Sequence, residues 1–303
     1  MNEMSEGSRA LSVIIVNFNV GNFLVDCVGA VLASALEVEV FVSDNGSTDD
    51  SLTLLRERYG GERRLTVLEN GANLGFARGN NVALEKTSAA YVLFLNPDCI
   101  VGPDTLSRML QFMETTPSAG MAGCIIRNPD GSEQIASRRS IPDPWVGLVR
   151  FLYLDRIWPS LVADKRLNRT NEPLPISPVM VDAISGSFML VRHKALKEVG
   201  PLDEGYFLHC EDLDWFVRFR RAGWAIYLVP DAEVVHHKGA CSLAHPITVE
   251  WHKHRGMVRF FRKFQFRGHV LPFSLLVVLG IWAHFVAFLI SDGLRRVLRI
   301  GAR

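Results

Sequence analysis

The sequence has no excess of charge of either sign, with 33 Lys and Arg residues against 32 Asp and Glu residues in 303. Nucleic-acid-binding proteins need a basic surface, so this balance argues against that class. The five cysteines are scattered and form no CxxC pair, which argues against a zinc knuckle and a disulfide framework and favours a reducing cytosol. No GxGxxG loop follows the first apolar run, where Asn-Phe-Asn-Val-Gly stands instead, so neither a dehydrogenase nor a nucleotidyltransferase is supported.

The amino terminus lacks the pattern of a signal peptide, because a largely polar segment of ten residues precedes an apolar-rich run of only eight. We therefore expect the catalytic part to stay in the cytoplasm. The length fits one large α/β domain with an appendage, or two small domains, and permits a full core. We predict a polar tail at 1–10, a main domain at 11–245 and a basic, aromatic helical region with an apolar segment at 246–303.

Short β-branched runs alternate with amphipathic segments in the first half of the chain. The runs are LSVIIVNF (11–18), VEVFVSD (38–44), LTVLEN (65–70) and YVLFLN (91–96). Continuous apolar strands between helices are typical of a mostly parallel sheet with helices on both faces. The sequence therefore predicts a doubly wound, Rossmann-like α/β domain, with its ligands bound beyond the carboxyl ends of the strands.

Two later segments depart from this alternation. Residues 140–178 are rich in proline and are predicted to be an irregular lid or acceptor loop. The apolar run from Val270 to Ile290 would measure about 31 Å as a helix, close to one bilayer core. Pro272, Gly280 and His284 interrupt the run, and basic residues flank both of its ends. A spanning helix, an in-plane or re-entrant anchor, and a buried helix or oligomer contact all stay open.

Two polar turns follow predicted strands. DNGSTDDS (44–51) contains more polar residues than a helix cap needs, and the Asp44 carboxylate could accept the imide N–H of a pyrimidine base. NLGFARGNN (73–81) has glycines that allow close approach to phosphate, with Arg78 as an added charge. The simpler alternative for each segment is a turn that caps a helix.

Three further positions carry candidate chemistry. Asp98 follows an apolar run, where it is either a turn residue or a ligand of a divalent ion. Glu211, Asp212 and Asp214 open a predicted helix; Asp214 has the spacing for an ion pair with Arg218, which leaves Asp212 as a candidate general base. His236 ends a predicted strand, either as a metal ligand or as a half-buried polar residue.

Seven segments in order resemble the inverting family 2 glycosyltransferases of the GT-A fold, especially the rhamnosyltransferase-like branch. They are VIIVNFN, DNGSTDDS, NLGFARGNN, LNPDC, SGSFMLVR, LDEGYFLHCEDLDWFVRFRRAG and VVHHKGACS. The resemblance covers about residues 11 to 242. It implies a nucleotide-sugar-binding GT-A domain.

The resemblance also implies roles for individual residues. Asp212, in the pair with Glu211, corresponds to the catalytic base, and Asp98 and His236 would hold Mg²⁺ or Mn²⁺. Asn96 stands where the family has the first Asp of its DxD motif, which weakens the expectation of tight metal binding. The implied substrate-binding residues are Asn17, Asn19, Asp44, Asn45, Ser47, Asn73, Gly75, Arg78, Asn80, Asn96, Ser185, Gly186 and Ser187.

The implied reaction transfers a sugar from a nucleotide-sugar with inversion at the anomeric carbon. We expect L-rhamnose from dTDP-rhamnose as donor and a polyprenyl-diphosphate-linked saccharide as acceptor, at the cytoplasmic face of the inner membrane. This reaction would serve the assembly of cell-surface polysaccharide. The alternatives are another donor such as a UDP-sugar, or a membrane scaffold that binds a nucleotide-sugar with little turnover, which Asn96 alone supports. Homo-oligomerisation is left open.

Overall fold

The first half of the chain forms a run of alternating strands and helices. The computed structural model describes residues 10–135, 137–151, 154–158, 160, 162, 168–170, 172–237 and 246–300. The polar tail predicted at 1–10, apart from Ala10, and Cys241 lie outside these residues. The first elements are β1 (Leu11–Asn17), α1 (Asn22–Leu32), β2 (Glu39–Asp44), α2 (Ser51–Tyr59), β3 (Leu65–Glu69), α3 (Phe76–Leu84) and β4 (Tyr91–Leu95).

Strands β3, β2, β1 and β4 lie side by side in that order, and all are parallel. The four runs predicted as strands are confirmed, each to within one residue at either end. In the register of β1 with β2, Asn17 is the partner of Asp44, so the polar ends of the two strands meet at one edge of the sheet. This edge is the expected ligand side of a parallel sheet.

The second half of the chain adds shorter and antiparallel strands. Its elements are β5 (Cys99–Val101), α4 (Thr105–Thr115), β6 (Ala119–Arg127), β7 (Arg138–Arg139), α5 (Pro144–Phe151), β8 (Val179–Met180), β9 (Ala183–Ile184), β10 (Phe188–Arg192), α6 (His193–Val199), α7 (Glu211–Arg221), β11 (Ala225–His236), α8 (Pro246–Phe264) and α9 (Leu271–Ile300).

Strand β10 is inserted antiparallel between β4 and β6, and β11 is parallel to β6. The nine described strands of the main sheet follow the order β3-β2-β1-β4-β10-β6-β11-β5, with β8 also paired to β11. Six of them, β1 to β4, β6 and β11, run in one direction. The predicted α/β fold with a mostly parallel sheet is confirmed.

The core lies on both faces of this sheet. Along β1, Val13 and Ile15 belong to the cluster under α1, α2 and α4, whereas Ile14 belongs to the cluster under α3, α6 and α7. All three side chains are fully buried. Because successive strand residues point to opposite faces, a strand covered on both sides is mostly apolar on both, and the only polar residues of β1 are Ser12 and its last residue, Asn17.

The proline-rich segment 140–178 contains a helix that its composition did not predict. Helix α5 spans eight of these residues, and Trp145 stacks on Phe273 of α9 at a ring-centroid distance of 6.2 Å. Just before it, the short antiparallel pair of β7 with β9 places Arg139 opposite Ala183. Several residues of the segment lie outside the described part of the chain, and its role as a lid stays a prediction.

Helix α9 is continuous despite Pro272, because proline in a first turn removes no intrahelical hydrogen bond. Leu271–Arg295 is apolar enough and long enough to cross a membrane, with a mean hydropathy of 2.4, and 17% of its most apolar window is buried. Most of the helix is therefore exposed, which excludes a helix buried within this chain. The exposed apolar residues of α9 are Leu271, Leu275, Leu276, Leu279, Val286, Ile290 and Leu294.

Candidate active site

The ends of β1 and β2 are joined by a buried hydrogen-bond network. Asn17 Nδ2 lies 2.7 Å from Asp44 Oδ1, 3.0 Å from Ser47 Oγ and 2.9 Å from Ser51 Oγ. The other oxygen of Asp44 accepts the backbone N–H groups of Gly46 and Ser47. Asp44 thus shapes the turn after β2, and one side-chain amide holds two strand ends together.

Asn19 fixes the other side of this turn. Its backbone N–H donates to Ser47 Oγ over 3.1 Å, and its Oδ1 accepts the N–H of Thr48 over 2.7 Å. Asn19 adopts a φ of 52°, a conformation that Asn tolerates better than most residues. Asp49 accepts the backbone N–H and the hydroxyl of Ser51, the first residue of α2.

The second polar turn packs against the first through Asn45. Asn45 Nδ2 donates to the Gly75 carbonyl over 3.0 Å and lies 3.4 Å from Asn73 Oδ1. Gly75 has a φ of 82°, and a Cβ there would lie 2.5 Å from the carbonyl oxygen of Phe207. Only glycine fits at this position, which brings the second turn against the loop that precedes α7.

Three further predicted binding residues make contacts within the chain, and their role in binding stays a prediction. Arg78 is exposed and pairs loosely with Glu204 at 3.8 Å. Asn80 is buried and donates to the Phe76 carbonyl one turn earlier in α3, a structural contact. Asn96 donates its backbone N–H to the Ser187 carbonyl over 2.9 Å, which ties the turn after β4 to the start of β10.

Asp98 and His236 meet at the junction of β4, β5 and β11. His236 Nε2 lies 3.0 Å from Asp98 Oδ1, and the side chains of both residues are about 9% exposed. His236 Nδ1 lies 2.7 Å from Gln134 Oε1, and Gln134 Nε2 donates to Asn128 Oδ1 and to the His236 carbonyl. These bonds orient the Gln134 oxygen toward the ring, so Gln134 accepts the N–H of His236 Nδ1.

This arrangement fits a divalent cation. With Nδ1 bonded to Gln134, Nε2 is the ring nitrogen that faces the Asp98 carboxylate, so an imidazole nitrogen and a carboxylate oxygen lie 3.0 Å apart as possible ligands of one cation. The Cys99 sulfur also lies within 4.8 Å of both ligand atoms. Burial raises the pKa of the Cys99 thiol well above its usual value, so it stays protonated and is a poor ligand. Oxygen and imidazole ligands remain, a set that suits Mn²⁺ or Mg²⁺.

The candidate base Asp212 lies at the start of α7, against the turn between β9 and β10. A Cβ at Gly186 would lie 2.8 Å from Asp212 Oδ2, so glycine lets the turn approach the carboxylate. Arg139 forms an ion pair with the same oxygen and donates through Nε to the Ile184 carbonyl over 3.1 Å. Asp212 Oδ1 accepts the N–H of Leu213 over 2.7 Å. The carboxylate is therefore held in one orientation beside Ser185 and Ser187.

The neighbouring acidic residues are not equivalent to Asp212. Asp214 is fully buried and pairs with Arg218 over 2.6 Å, as predicted, and Lys263 lies 2.6 Å from its other oxygen. Glu211 is 6% exposed, and its Oε2 has no hydrogen-bond partner among the described residues. Burial and the Asp212 charge raise the pKa of Glu211 to about 8. Glu211 is mostly protonated at neutral pH, which leaves Asp212 as the better base.

Ser187 links the candidate metal pair to the candidate base. Its carbonyl accepts the Asn96 N–H and lies 3.6 Å from Cys99 Sγ, next to Asp98, while its neighbour Gly186 contacts Asp212. The hydroxyls of Ser185 and Ser187 lie 2.9 Å apart in the same turn. This short turn thus connects the candidate metal ligands, which follow β4 and end β11, with the candidate base at the start of α7.

Sequence reasoning missed Arg139 and Gln134, which orient Asp212 and His236. Both lie between 128 and 140, a stretch that the sequence analysis assigned to no motif. The pair Arg138-Arg139 was a weak available signal, because Arg is suited to buried carboxylate pairs. Nothing local singles out Gln134.

The four parallel strands β3, β2, β1 and β4, extended by β10 and followed by the acidic helix α7, form the arrangement expected of an α/β transferase of the GT-A type. The family model "Glycosyl transferase family 2" matches residues 12–200. The chain belongs to glycosyl transferase family 2, and the family predicted from its seven segments is confirmed.

Two curated relatives share much of the length. The N-acetylglucosaminyl-diphospho-decaprenol L-rhamnosyltransferase of Mycobacterium tuberculosis is 33% identical over 245 residues, covering 75% of this chain and 76% of the relative. Rhamnosyltransferase WbbL of Escherichia coli K12 is 30% identical, covering 74% of this chain and 82% of the relative.

Solved structures support the fold. The mannosyltransferase PcManGT from Pyrobaculum calidifontis, in complex with GDP-Man and Mn²⁺, superimposes with a TM-score of 0.59. It is 15% identical, and the match covers 98% of this chain and 80% of that one. The predicted GT-A fold is confirmed.

Proposed function

We propose that this protein transfers L-rhamnose from dTDP-rhamnose to a polyprenyl-diphosphate-linked saccharide, with inversion at the anomeric carbon. The names of the two curated relatives support the sugar, and that of the M. tuberculosis relative supports the lipid-linked acceptor. The observation that carries the reaction type is the oriented Asp212 carboxylate beside the turn at Gly186, close to a metal-competent pair.

Asp212 accepts the proton of the acceptor hydroxyl as that oxygen attacks the anomeric carbon. The new bond joins the acceptor oxygen to this carbon, and the bond from the carbon to the diphosphate oxygen breaks, so the nucleoside diphosphate leaves on the opposite face. Arg139 keeps one Asp212 oxygen in place, which leaves the carboxylate only a small reorganisation during the transfer. The turn at Ser185 and Ser187 borders the reacting groups.

Asp98 and His236 would hold the divalent ion, with Gln134 orienting the imidazole. When bound, the ion would neutralise charge on the leaving diphosphate. Mn²⁺ is favoured over Mg²⁺, because imidazole is a softer ligand than the oxygens that Mg²⁺ prefers. The GDP-Man complex of the mannosyltransferase contains Mn²⁺ and supports this choice.

The nucleotide would lie over the network at the ends of β1 and β2. Asp44 and Asn17 are buried, so they shape the turn, while Asn19, Ser47 and Asn73 are less deeply buried at the same edge. The glycine turn at Gly75 allows the sugar-nucleotide to approach the backbone closely.

Helix α9 would lie in the plane of the membrane surface. Its middle packs against α8, with Trp251 and Trp282 rings 5.1 Å apart and His254 Nε2 within 3.0 Å of His284 Nδ1. Beside Trp282, α8 presents the exposed cations Arg255, Arg259 and Arg262. If α9 spanned the bilayer, these charges would lie near its centre at a cost of several kcal/mol, whereas at the cytoplasmic surface they would face anionic headgroups.

The experiment is transfer of labelled sugar into extractable lipid by membranes that contain the protein. A panel of dTDP-, UDP- and GDP-sugars is offered with Mn²⁺, with Mg²⁺ or with EDTA, and Asp212→Asn serves as the inactive comparison. We expect label from dTDP-rhamnose only, restored after EDTA better by Mn²⁺ than by Mg²⁺.

Three outcomes contradict parts of the proposal. Transfer from another nucleotide-sugar alone replaces the donor. Full activity in EDTA removes the metal from the reaction. No transfer from any donor by folded protein, with lipid acceptors supplied, favours the scaffold that binds without turnover.

A further inference from the structure

An apolar cavity of about 270 Å³ lies among α5, α7, α8 and α9, apart from the residues assigned above. It is open on one side, and polar atoms contribute little to its wall. Its apolar lining includes Leu148, Leu213, Met257, Phe261, Val277 and Ile281.

One end of the cavity lies at the start of α7. Cys210 and Leu213, which flank Glu211 and Asp212 in the sequence, both line it. Helix α8 packs directly on this point, since a Cβ at Gly256 would lie 2.7 Å from the carbonyl oxygen of His209 and 3.3 Å from Cys210 Sγ. The cavity therefore ends within one helical turn of the candidate base.

The opposite wall belongs to α9. Val277 and Ile281 face the cavity, whereas Leu275, Leu276 and Leu279 are exposed on the same stretch of helix. An apolar chain that fills the cavity can thus leave it along an apolar surface. That surface is the one that we place against the membrane.

Two charged side chains, Lys253 and Asp143, also line the cavity. Asp143 Oδ1 accepts the backbone N–H groups of Trp145 and Val146 at the start of α5, so Lys253 is the charged group that suits an anionic ligand. Lys253 is half-exposed, with Nζ 3.0 Å from Glu250 Oε1, and it is one turn from Gly256 on α8. An apolar space with an ammonium group near the catalytic helix matches an amphipathic ligand that has an anionic head and a hydrocarbon chain.

Resting on the proposed function, we propose that this cavity binds the first isoprene units of the acceptor lipid, with Lys253 beside its diphosphate. The volume is slightly below the range of about 300–1,000 Å³ for complete small-molecule sites, so it accommodates the beginning of a long chain and leaves the rest to the membrane. The end near Asp212 would receive the diphosphate and present the saccharide to the base.

The test is direct binding, which does not depend on turnover. Farnesyl diphosphate, farnesol and ethyl diphosphate are titrated into the full-length protein in detergent micelles. We expect farnesyl diphosphate to bind most tightly. Val277→Trp fills the cavity and should weaken its binding at least about tenfold, because several buried methylene groups lose their contacts. Val286→Trp, the same change at an exposed site on α9, should leave binding unchanged.

A second pair of variants protects the test against misfolding of Val277→Trp. Gly147 lines the cavity on α5, and an added Cβ meets no atom within 4 Å, so Gly147→Leu adds bulk without a backbone clash. Gly293→Leu is its control on α9, where the space is equally open.

Lys253→Met should weaken the binding of farnesyl diphosphate but not that of farnesol. The same change at the exposed Lys197 should alter the binding of neither ligand.

Unchanged affinity for farnesyl diphosphate in both folded Val277→Trp and Gly147→Leu would overturn the assignment. Tighter binding of dioleoyl phosphatidylglycerol than of farnesyl diphosphate at the same site would also overturn it, in favour of a membrane acyl chain. Selective binding that both variants weaken, in a protein that transfers no sugar from any donor, supports the cavity assignment and contradicts the proposed function.

Discussion

The two halves of the sheet build their parts of the site in different ways. In the amino-terminal half, polar residues at neighbouring strand ends bond to each other, as Asn17 does to Asp44, 27 positions away. In the carboxy-terminal half the decisive contacts join distant segments, such as Arg139 to Asp212, 73 positions apart, and Gln134 to His236, 102 apart. The first half is a repeated local pattern, and the second depends on how the strands are ordered.

The difference between the two halves corresponds to their proposed roles, with substrate binding in the amino-terminal half and catalysis in the carboxy-terminal half. The polar groups of the amino-terminal network bond to one another, apart from Asn17 Oδ1, which has no hydrogen-bond partner among the described residues, so most of this surface is preformed. The carboxy-terminal cluster contains a buried Glu211 with a raised pKa, an Asp212 that is oriented by an ion pair with Arg139, and a buried His236–Asp98 pair. Perturbed groups of this kind concentrate where reactions occur. Variants in each half should therefore fail in different ways.

The largest effect is expected at Asp212. Asp212→Asn removes the proton acceptor while keeping the shape, so kcat for sugar transfer should fall about 10²- to 10⁴-fold. Asp182→Asn is the matched control, because Asp182 is about half exposed and its one ion pair within the described part of the chain is with Arg220 at the surface. Steady-state rates at saturating donor decide the point, and a variant that keeps a tenth of the wild-type rate rules out Asp212 as the base.

The next effect concerns the pH dependence of stability through Glu211. Its pKa in the folded state is about 8, against about 4.3 in the unfolded chain. Between these values the folded state binds more protons, so the free energy of unfolding should fall as pH rises from about 4 to about 8. Glu211→Gln should remove this pH dependence. At pH 8 the variant should therefore gain on the order of a few kcal/mol in the free energy of unfolding relative to wild type.

The measurement is the unfolding midpoint at pH 5 and pH 8 for wild type and Glu211→Gln. The exposed Glu57→Gln serves as the control and should leave the pH dependence as it is in wild type. A pH dependence that is identical in Glu211→Gln and wild type contradicts the raised pKa.

The amino-terminal network should respond in stability and donor binding rather than in the chemical step. Asn17→Ala leaves buried Asp44 without one of its donors and should cost about 1–3 kcal/mol in the free energy of unfolding. It should also raise KM for the nucleotide-sugar with a smaller change in kcat. Denaturant titration and kinetics test both, with exposed Gln111→Ala expected to stay within about 0.5 kcal/mol of wild type.

The smallest effect is expected at Arg139, a positioning residue. Arg139→Met should lower kcat about tenfold through misorientation of Asp212 and leave KM for the donor near the wild-type value. Because the Arg139 charge lowers the pKa of Glu211, its loss should raise that pKa further. Arg139→Lys should restore part of the rate, and Arg220→Met controls for loss of a surface charge. An unaltered pH–rate profile with full activity would show that Arg139 only supports the fold.

Features that depend on residues close together in the sequence were predictable, and features that depend on contacts between distant segments were not. Each of the four runs is a strand because it is rich in apolar residues and ends in turn residues, and both properties are local. The pair Asp214 and Arg218 was predictable for the same reason, since helical spacing alone brings the two together. Helix α5 was missed because its prolines suggested a loop, whereas Pro144 stands at its first position, where proline is favoured.

In the candidate site, individual residues were predictable from the sequence, but the contacts between them were not. Asp98 and His236 were candidates from their positions after strands, yet their 3.0 Å contact exists because β11 pairs with β5 on the far side of the sheet. The placement of α9 also depends on a contact between separate segments, its packing against α8. Its length permitted three arrangements, and our in-plane choice rests on the cations of α8 that pack beside its middle.

The sequence by itself determined the α/β class, the polar strand ends of the amino-terminal half and the acidic helix, because each is written in consecutive residues. It determined the family through the resemblance of seven short segments. The tertiary structure decided which carboxylate is oriented, which polar residues support it and what lies beside the catalytic helix. These features depend on the insertion of β10 and on packing between segments many residues apart. Contacts of that range leave no pattern in any single stretch of the chain.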